Sequence, residues 1–239
     1  MTLIMHAGGR NVDFDEVSAV ETPAPTATHF PISHAAFAQT VCDSLDAVGM
    51  TIEDCQHGLW GENGERYFAL ARLQDRTSDY STVVGFRNSH DKKFSAQMSL
   101  GNRVFVCDNL SFFGDVVLAR KHTRYVVRDL AGLVHRATNR MVNLADAQRR
   151  TIELYKEAPM VDMQFHDLAI RSVDTGVMPA SKLPKVLHEW RDSEHTEFHD
   201  RTCWSAFNAF TEVMKGTSQA TLSTRTQKLH NLIKSFTTC

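Results

Sequence analysis

A long amphipathic pattern between Thr123 and Ala158 constrains the fold of this chain more than any other feature. Apolar residues recur there at spacings of three and four positions, which is the period of an α-helix, and Pro159 ends the pattern. The pattern therefore predicts one helix of about 30 residues. With 239 residues, 42% of them hydrophobic, the chain is long enough to bury a sizeable core.

Short β-prone runs precede this helix and predict strands. Five runs have this character: Thr51–Trp60, Arg66–Gln74, Ser81–Asn88, Phe94–Leu100 and Arg103–Cys107. The first two flank Gly61-Glu-Asn-Gly64, whose Asn-Gly pair is typical of a hairpin turn, and Gly101-Asn102 is expected to join the last two. Because the connections are short, the sheet should be largely antiparallel.

Further helical patterns lie on both sides of these runs. One follows Pro31 and ends at Gly49, and four shorter ones follow Pro159: Met163–Arg171, Leu183–Trp190, Arg201–Lys215 and Thr226–Phe236. We therefore predict an α+β fold, with an antiparallel sheet of about five strands, a long amphipathic helix and a C-terminal helical cap. Residues 1–28, rich in Pro and Thr, should form a flexible arm. Residues 29–239 should form a single domain, with the sheet at 50–110, the long helix at 123–158 and the cap at 160–239.

The formal net charge of -2 hides an uneven distribution. Residues 1–86 carry four Lys or Arg against twelve Asp or Glu, a balance of -8. Residues 87–150 carry twelve Lys or Arg against five Asp, a balance of +7. A basic block inside an acidic chain indicates a surface that meets a polyanion, although the two blocks could equally pack together and offset each other.

Aromatic residues lie among the basic ones, as single-stranded nucleic acid requires, because bases stack on rings while phosphates meet cations. Phe86-Arg87, Lys93-Phe94 and Arg124-Tyr125 are such neighbours. The predicted nucleic-acid-binding residues are all basic: Arg87, Lys92, Lys93, Arg103, Arg120, Lys121, Arg124, Arg128, Arg136 and Arg140. The arginines of the long helix could form a groove for a phosphodiester backbone, or could simply be a solvated face.

Other candidate chemistry is less convincing. His188, His195 and His199 form the best histidine cluster, but the order His-Thr-Glu-Phe-His lacks the metalloprotease pattern, and an exposed loop is the better interpretation. Ser89, His90 and Asp91 are consecutive, so on an extended chain they point to alternate faces and do not form a triad. The segment instead predicts a hairpin tip, with Asp91 in the turn. We predict no catalytic residue, no metal and no cofactor.

Five scattered cysteines without a Cys-x-x-Cys pair predict reduced thiols rather than a disulfide framework or a zinc ribbon. No apolar run approaches the length of a membrane span, and residues 1–10 lack the apolar core of a signal peptide. We therefore expect a cytoplasmic protein without a membrane partner.

Two segments resemble a known family. Arg87-Asn-Ser-His-Asp-Lys-Lys93 with Gly101-Asn-Arg-Val-Phe-Val-Cys-Asp-Asn109, and later Thr202–Met214, are similar to the signatures of the phage/plasmid-like proteins, a family of unknown function. The family has a turn glycine where this chain has Lys92. The resemblance implies a mobile-element origin and a bacterial host cytoplasm, and it supplies no catalytic residues. The order of elements also looks loosely like that of Rad52-type single-strand annealing proteins.

Three functions remain open from the sequence. The first is a non-enzymatic phage or mobile-element protein of DNA metabolism that binds single-stranded DNA, anneals strands and forms a homo-oligomer. The second is an interaction module, such as a phage anti-defence factor, that binds a host protein. The third is a metal-dependent enzyme that uses the cluster from His188 to His199.

Overall fold

The computed structural model describes residues 9–74, 80–104, 110–112, 117–217 and 219–237. The chain forms two compact units: one comprises Met1–Gly101 and Gly114–Ala145, and the other comprises Asn102–Phe113 and Asp146–Cys239. We expected a single domain over residues 29–239. Each unit encloses apolar side chains of its own.

The strands form a sheet that is antiparallel wherever the pairing is described. The described strands are β1 (Arg10–Val12), β2 (Ile52–Trp60), β3 (Arg66–Leu73), β4 (Tyr80–Ser89), β5 (Ala96–Val104), β6 (Leu110–Phe112) and β7 (Leu118–Arg120). They follow one another in the order β1-β2-β3-β4-β5-β6, while β7 pairs with the beginning of β5. The predicted α+β class is confirmed, with two strands more than the five expected.

The turns of the sheet differ from expectation at one point. Gly61 and Gly64 adopt positive φ angles of 97° and 71°, as the predicted hairpin between β2 and β3 requires. Gly101-Asn102, in contrast, lies inside β5 rather than between two strands. Gly101 does not have a positive φ, so the backbone stays extended there and the predicted fourth and fifth strands are one. Residues 105–107 of the predicted fifth strand lie outside the described residues.

The helices correspond closely to the predicted ones, since an apolar face at helical spacing is a local signal. They are α1 (Phe14–Ala19), α2 (His34–Ala47), α3 (Val126–Glu157), α4 (Asp162–Asp174), α5 (Leu183–Arg191), α6 (Cys203–Val213) and α7 (Gln219–Ile233). The long helix α3 has 32 residues. Of the described helices, none is both long and apolar enough to pass through a bilayer.

The segment that we expected to be a flexible arm contains β1 and α1. The Asp13 side chain accepts a hydrogen bond from the Glu16 backbone N–H, which caps α1, and Val17 is buried. Val12 pairs with His57 of β2, so the sheet begins with this segment. Backbone pairing and two buried side chains, Val12 and Val17, hold it against the first unit.

The core of the first unit lies between one face of the sheet and two helices. Phe37, Val41 and Leu45 of α2 face this core, as do Tyr67 of β3 and Phe86 of β4. The first half of α3 adds a row of buried apolar residues, Val126, Leu130, Val134, Ala137, Met141 and Ala145. This row fixes which face of α3 is turned outward.

The second unit is helical, and its elements pack through aromatic side chains. The Phe165 and Trp190 rings stack with centroids 4.3 Å apart, and Phe210 packs against Phe165 at 5.9 Å. The backbone N–H of Cys203 donates to the carbonyl of Ala158 at 2.8 Å, so the start of α6 is tied to the end of α3. Burial of these rings provides the unit with its own core.

Candidate nucleic-acid interface

Four exposed arginines lie in a row on the outward face of α3 and the turn before it. They are Arg124, Arg128, Arg136 and Arg140, and we call them the arginine ridge. Residues four apart are neighbours on a helix surface and lie about 6 Å apart along its axis. Gly132 occupies the one position of the row that lacks a side chain. The row exists because the residues between them, such as Leu130 and Val134, are in the core.

An exposed aromatic ring stands at the beginning of the ridge. The Tyr125 side chain is 51% exposed, which is unusual for a large ring beside a well-formed core. The Arg128 guanidinium carbon lies 4.6 Å from the centre of this ring and that of Arg124 lies 5.8 Å from it. Two cations therefore lie over this exposed ring.

Asp129 is the acidic residue of this region. It accepts from Arg128 Nε at 2.9 Å and from Arg120 Nη2 at 3.3 Å. The pairing orients Arg128 beside Tyr125 and leaves Arg120 half-buried. Arg124, Arg136 and Arg140 form no ion pair within the described ranges, so their charge is available to a ligand.

The basic residues of β4, of β5 and of the turn between them have a mixed placement. Arg87 is half-buried: its Nε donates to Gln97 Oε1 at 2.8 Å, its guanidinium lies 4.6 Å from the Phe94 ring centre, and burial lowers its pKa. Lys92 and Lys93 are exposed, as is Lys121. The side chain of Arg103 lies outside the described residues. Among the predicted binding residues, those that are exposed on α3 and in the turn before it form one continuous group.

The segment Asn88-Ser-His-Asp91 alternates between two sides of the chain, as predicted. On one side, Asn88 Nδ2 donates to the Ile32 carbonyl at 2.7 Å, and His90 Nε2 donates to the same oxygen at 2.9 Å. On the other side, Ser89 Oγ donates to Asp91 Oδ1 at 2.7 Å, and Arg66 Nε donates to Asp91 Oδ2 at 2.7 Å. Serine and histidine do not meet, so the segment is not a Ser-His-Asp triad.

The turn after this segment places Lys92 in the left-handed region, with φ of 65°. We predicted that Asp91 lies in this turn. Asp91 accepts a hydrogen bond from the Lys93 backbone N–H at 3.1 Å, which closes the turn around Lys92. A carboxylate two residues before an N–H is the usual geometry of an Asx turn.

Four histidines, three of them buried, gather near Asn88. The rings of His34 and His90 stack in parallel with centroids 3.8 Å apart, and those of His29 and His122 stack at 5.2 Å. Asn88 Nδ2 donates to His34 Nδ1 at 2.9 Å, so the proton of His34 lies on Nε2, which donates to the Gly64 carbonyl at 3.1 Å. We call His29, His34, His90, His122 and Asn88 the histidine cluster.

Burial keeps three of these histidines neutral, namely His34, His90 and His122. Burial, with a smaller contribution from His90, lowers the pKa of His34 to about 3. Burial, with His29, lowers the pKa of His122 to about 4, and burial lowers the pKa of His90 as well. These three histidines therefore add no positive charge to the candidate interface near neutral pH.

Sequence reasoning found His90 but missed its partners. His29, His34 and His122 come from separate segments, and their spacing in sequence carries no local signal. The one available clue was that Asn88 and His90 share a strand face and would need polar partners once buried.

A comparison with family models matches residues 32–236 to the domain of unknown function DUF932. The chain belongs to the DUF932 family. The match includes Asn88-Ser-His-Asp91, most of the histidine cluster, the arginine ridge and both signature segments identified above. A search of curated proteins and a search of solved structures each found no match.

Elsewhere in the DUF932 chain, the histidines of α5 and of the segment after it do not converge. His188 Nδ1 lies 3.6 Å from Asp192 Oδ2, His199 Nε2 donates to the Ser193 carbonyl at 2.9 Å, and the His195 ring packs edge-on against Phe198. Between His195 and His199 the chain forms a short 3-10 turn over Thr196–Phe198, so these two histidines do not share an α-helical face. Across the described ranges, no group of three His, Cys, Asp or Glu residues could hold a metal ion.

Proposed function

We propose that this DUF932 protein binds single-stranded DNA through the arginine ridge, with Tyr125 as a stacking surface for a base. One observation carries the proposal: an exposed row of four arginines begins at an exposed tyrosine that two of them flank. Arginine meets phosphate oxygens with several donors in a fixed geometry, and an aromatic face accepts any base.

The charge around the ridge supports a polyanionic ligand. Residues 120–140 contain six Lys or Arg and one Asp. That Asp pairs with Arg120 and Arg128. The charges of Arg124, Arg136 and Arg140 are therefore not offset by an ion pair within the described ranges. Neutralisation of phosphates by such residues releases counterions, which makes binding favourable at low salt.

The exposed tyrosine favours a single strand over a duplex. In a duplex the bases are stacked on one another, whereas in a single strand an unpaired base can stack on a side chain. A duplex would meet only the arginines. The proposal therefore predicts tighter binding of a single strand than of a duplex of equal length.

The resemblance to phage/plasmid-like proteins extends this proposal. A protein of a mobile element that holds a single strand in the bacterial cytoplasm would serve DNA metabolism without catalysing a reaction. Strand annealing and assembly into a homo-oligomer are part of the same proposal, because annealing brings together two strands, each held along its backbone.

A titration of fluorescently labelled oligonucleotide tests the proposal. Wild-type protein should bind a single strand at about 50 mM salt and lose most of that affinity at about 200 mM. The variant R136A/R140A should bind roughly tenfold more weakly at low salt. R149A/R150A, which removes two exposed arginines of the same helix beyond the ridge, should bind like wild type. No binding by the wild type at low salt, or equal losses in the two variants, would overturn the proposal.

A second candidate function, binding to a host protein, is favoured by an apolar patch on α4. Met163 is 79% exposed and Ile170 is 59% exposed, one above the other at a spacing of seven residues. Exposed apolar side chains grouped on one helix face are typical of protein contacts. If this function holds, M163D/I170D should abolish a complex with a defined host partner and leave DNA affinity unchanged.

A further inference from the structure

Two histidines of the first unit lie side by side although they come from distant segments of the chain. His29 precedes α2, His122 precedes α3, and the centres of their rings are 5.2 Å apart. The backbone N–H of Phe30 donates to the carbonyl of His122 at 2.9 Å, so the main chain also joins the two segments. This backbone bond places the two imidazoles next to each other.

The His29 ring is oriented by a hydrogen bond at one of its two nitrogens. Its Nε2 lies 3.2 Å from the carbonyl oxygen of His90. A carbonyl can only accept, so the neutral ring carries its proton on Nε2 and has a lone pair on Nδ1. Metal-binding histidines in proteins usually have this arrangement, in which one nitrogen donates to a carbonyl or carboxylate and the other binds the ion.

The ring of His122 is buried, and neither of its nitrogens makes a hydrogen bond. The residue is 5% exposed, and neither Nδ1 nor Nε2 has a hydrogen-bond partner in the part of the chain that the structure describes. A buried imidazole without a partner is costly, and a bound ion would satisfy one of its nitrogens. Rotation of the ring toward an ion would break no hydrogen bond. Because burial lowers the pKa of His122 to about 4, a proton does not compete with a metal for this ring near neutral pH.

The other two histidines of the cluster have different roles. His34 accepts from Asn88 at Nδ1 and donates to a backbone carbonyl at Nε2, so both of its nitrogens are occupied. His90 stacks on His34 at 3.8 Å and orients His29 through its carbonyl. No set of three His, Cys, Asp or Glu side chains within the described ranges has metal-binding geometry. Water molecules would therefore complete the coordination of an ion held by His29 and His122.

We propose that His29 Nδ1 and one ring nitrogen of His122 bind a zinc ion, which joins the segment before α2 to the segment before α3. Zinc binds imidazole nitrogens at about 2.0–2.1 Å, and at a tetrahedral angle two such rings have their centres roughly 5 Å apart. The ring centres of His29 and His122 have this separation. His29 is half-buried and follows the exposed Thr28, so an ion can enter from solvent.

The test uses full-length protein that has been freed of metal with a chelator and then freed of the chelator. In a calorimetric titration with zinc chloride near neutral pH, the tightest step should correspond to one ion per chain with a dissociation constant in the micromolar range. Zinc should also raise the midpoint of urea unfolding, because the ion binds the folded chain in preference to the unfolded one. His29→Asn and His122→Asn should each weaken this step by more than about tenfold, since one imidazole remains. In protein with ¹⁵N-labelled histidine, zinc should shift the Nδ1 resonance of His29 and leave the proton on its Nε2.

The matched control is His188→Asn/His199→Asn, which removes two exposed histidines of the second unit and should bind zinc like the wild type. Absence of zinc binding by the wild type, or an unchanged affinity in folded His29→Asn protein, would overturn the proposal. An equal loss of affinity in the control would place the ion elsewhere and would overturn it too. Circular dichroism verifies the fold of each variant. If His122→Asn fails to fold, His29→Asn decides the outcome, because its side chain is only half-buried.

Discussion

The arginine ridge and the histidine cluster are two polar regions of the same unit, and they differ in where their hydrogen-bonding groups point. In the cluster, Asn88 donates to Ile32 and to His34 inside the protein. On the ridge, Arg136 and Arg140 point outward and form no ion pair within the described ranges. The segment with the most recognisable sequence, Asn88-Ser-His-Asp91, thus contributes to the fold. The surface that we propose to bind DNA has no sequence motif beyond its positive charge and its helical spacing.

Substitutions in the two regions should therefore affect different properties of the protein. Changes in the histidine cluster should lower stability and leave the DNA affinity of the folded protein unchanged. Changes on the ridge should do the opposite, because exposed side chains contribute little to stability.

Acidification should have the largest effect on the free energy of unfolding. His34 and His122 bind a proton near pH 6.5 when unfolded but only at about pH 3 and about pH 4 when folded. Their contribution to the free energy of unfolding is fully present above the pKa of the unfolded state. It is lost as the pH falls below that pKa, by about 1.4 kcal/mol per pH unit for each histidine. Urea unfolding should therefore show a loss on the order of 2–4 kcal/mol between about pH 7 and about pH 5.

Two variants separate this effect from general acid unfolding. His122→Asn should flatten the dependence of unfolding free energy on pH, because one buried titrating group is gone. His135→Asn, on the exposed face of α3, should leave the slope as it is in the wild type. If both variants keep the wild-type slope, burial of His122 does not govern stability in this range.

Removal of the Asn88 amide should have the next largest effect. Asn88→Ala deletes two buried hydrogen bonds and leaves His34 Nδ1 unpaired, which should cost about 2–3 kcal/mol of unfolding free energy. Asn139→Ala is the matched control, since Asn139 is exposed and bonds only locally to His135. A loss of DNA affinity in folded Asn88→Ala protein, measured by anisotropy, would contradict the separation of the two regions.

Truncation of the exposed ring should affect binding alone. Tyr125→Ala should weaken single-strand binding roughly fivefold to tenfold, as loss of one stacked base does, with little change in unfolding free energy. Tyr125→Phe keeps the ring and should retain most of the affinity. Equal affinities of the two variants for a single strand would show that Tyr125 does not stack on a base.

Substitution of Lys92 should have the smallest effect, and it should stabilise the protein. At φ of 65° a side chain is strained, so Lys92→Gly should raise the unfolding free energy by about 0.5–1 kcal/mol after the entropy of glycine is taken into account. Lys93→Gly, at a position without a positive φ, should be neutral or slightly destabilising. Thermal unfolding of the two variants measures the difference directly, and destabilisation by Lys92→Gly would contradict the strain.

Most elements were predictable because their signals are local. The apolar period of α3 determined both its extent and its outward face, and Asn63-Gly64 located the first hairpin. Gly101-Asn102 misled because glycine permits a turn without requiring one, and the pairing of β5 kept the chain extended. The histidine cluster could not be predicted, since its members meet only after distant segments have folded together.

The salt dependence of single-strand binding tests the central claim most directly. For wild type, the logarithm of the binding constant should fall linearly with the logarithm of salt concentration between about 50 and 200 mM. For R136A/R140A the slope should be shallower by about 1.4, which corresponds to two lost phosphate contacts on a single strand. Equal slopes for the two proteins, or no binding by the wild type at the lowest salt, would contradict the account.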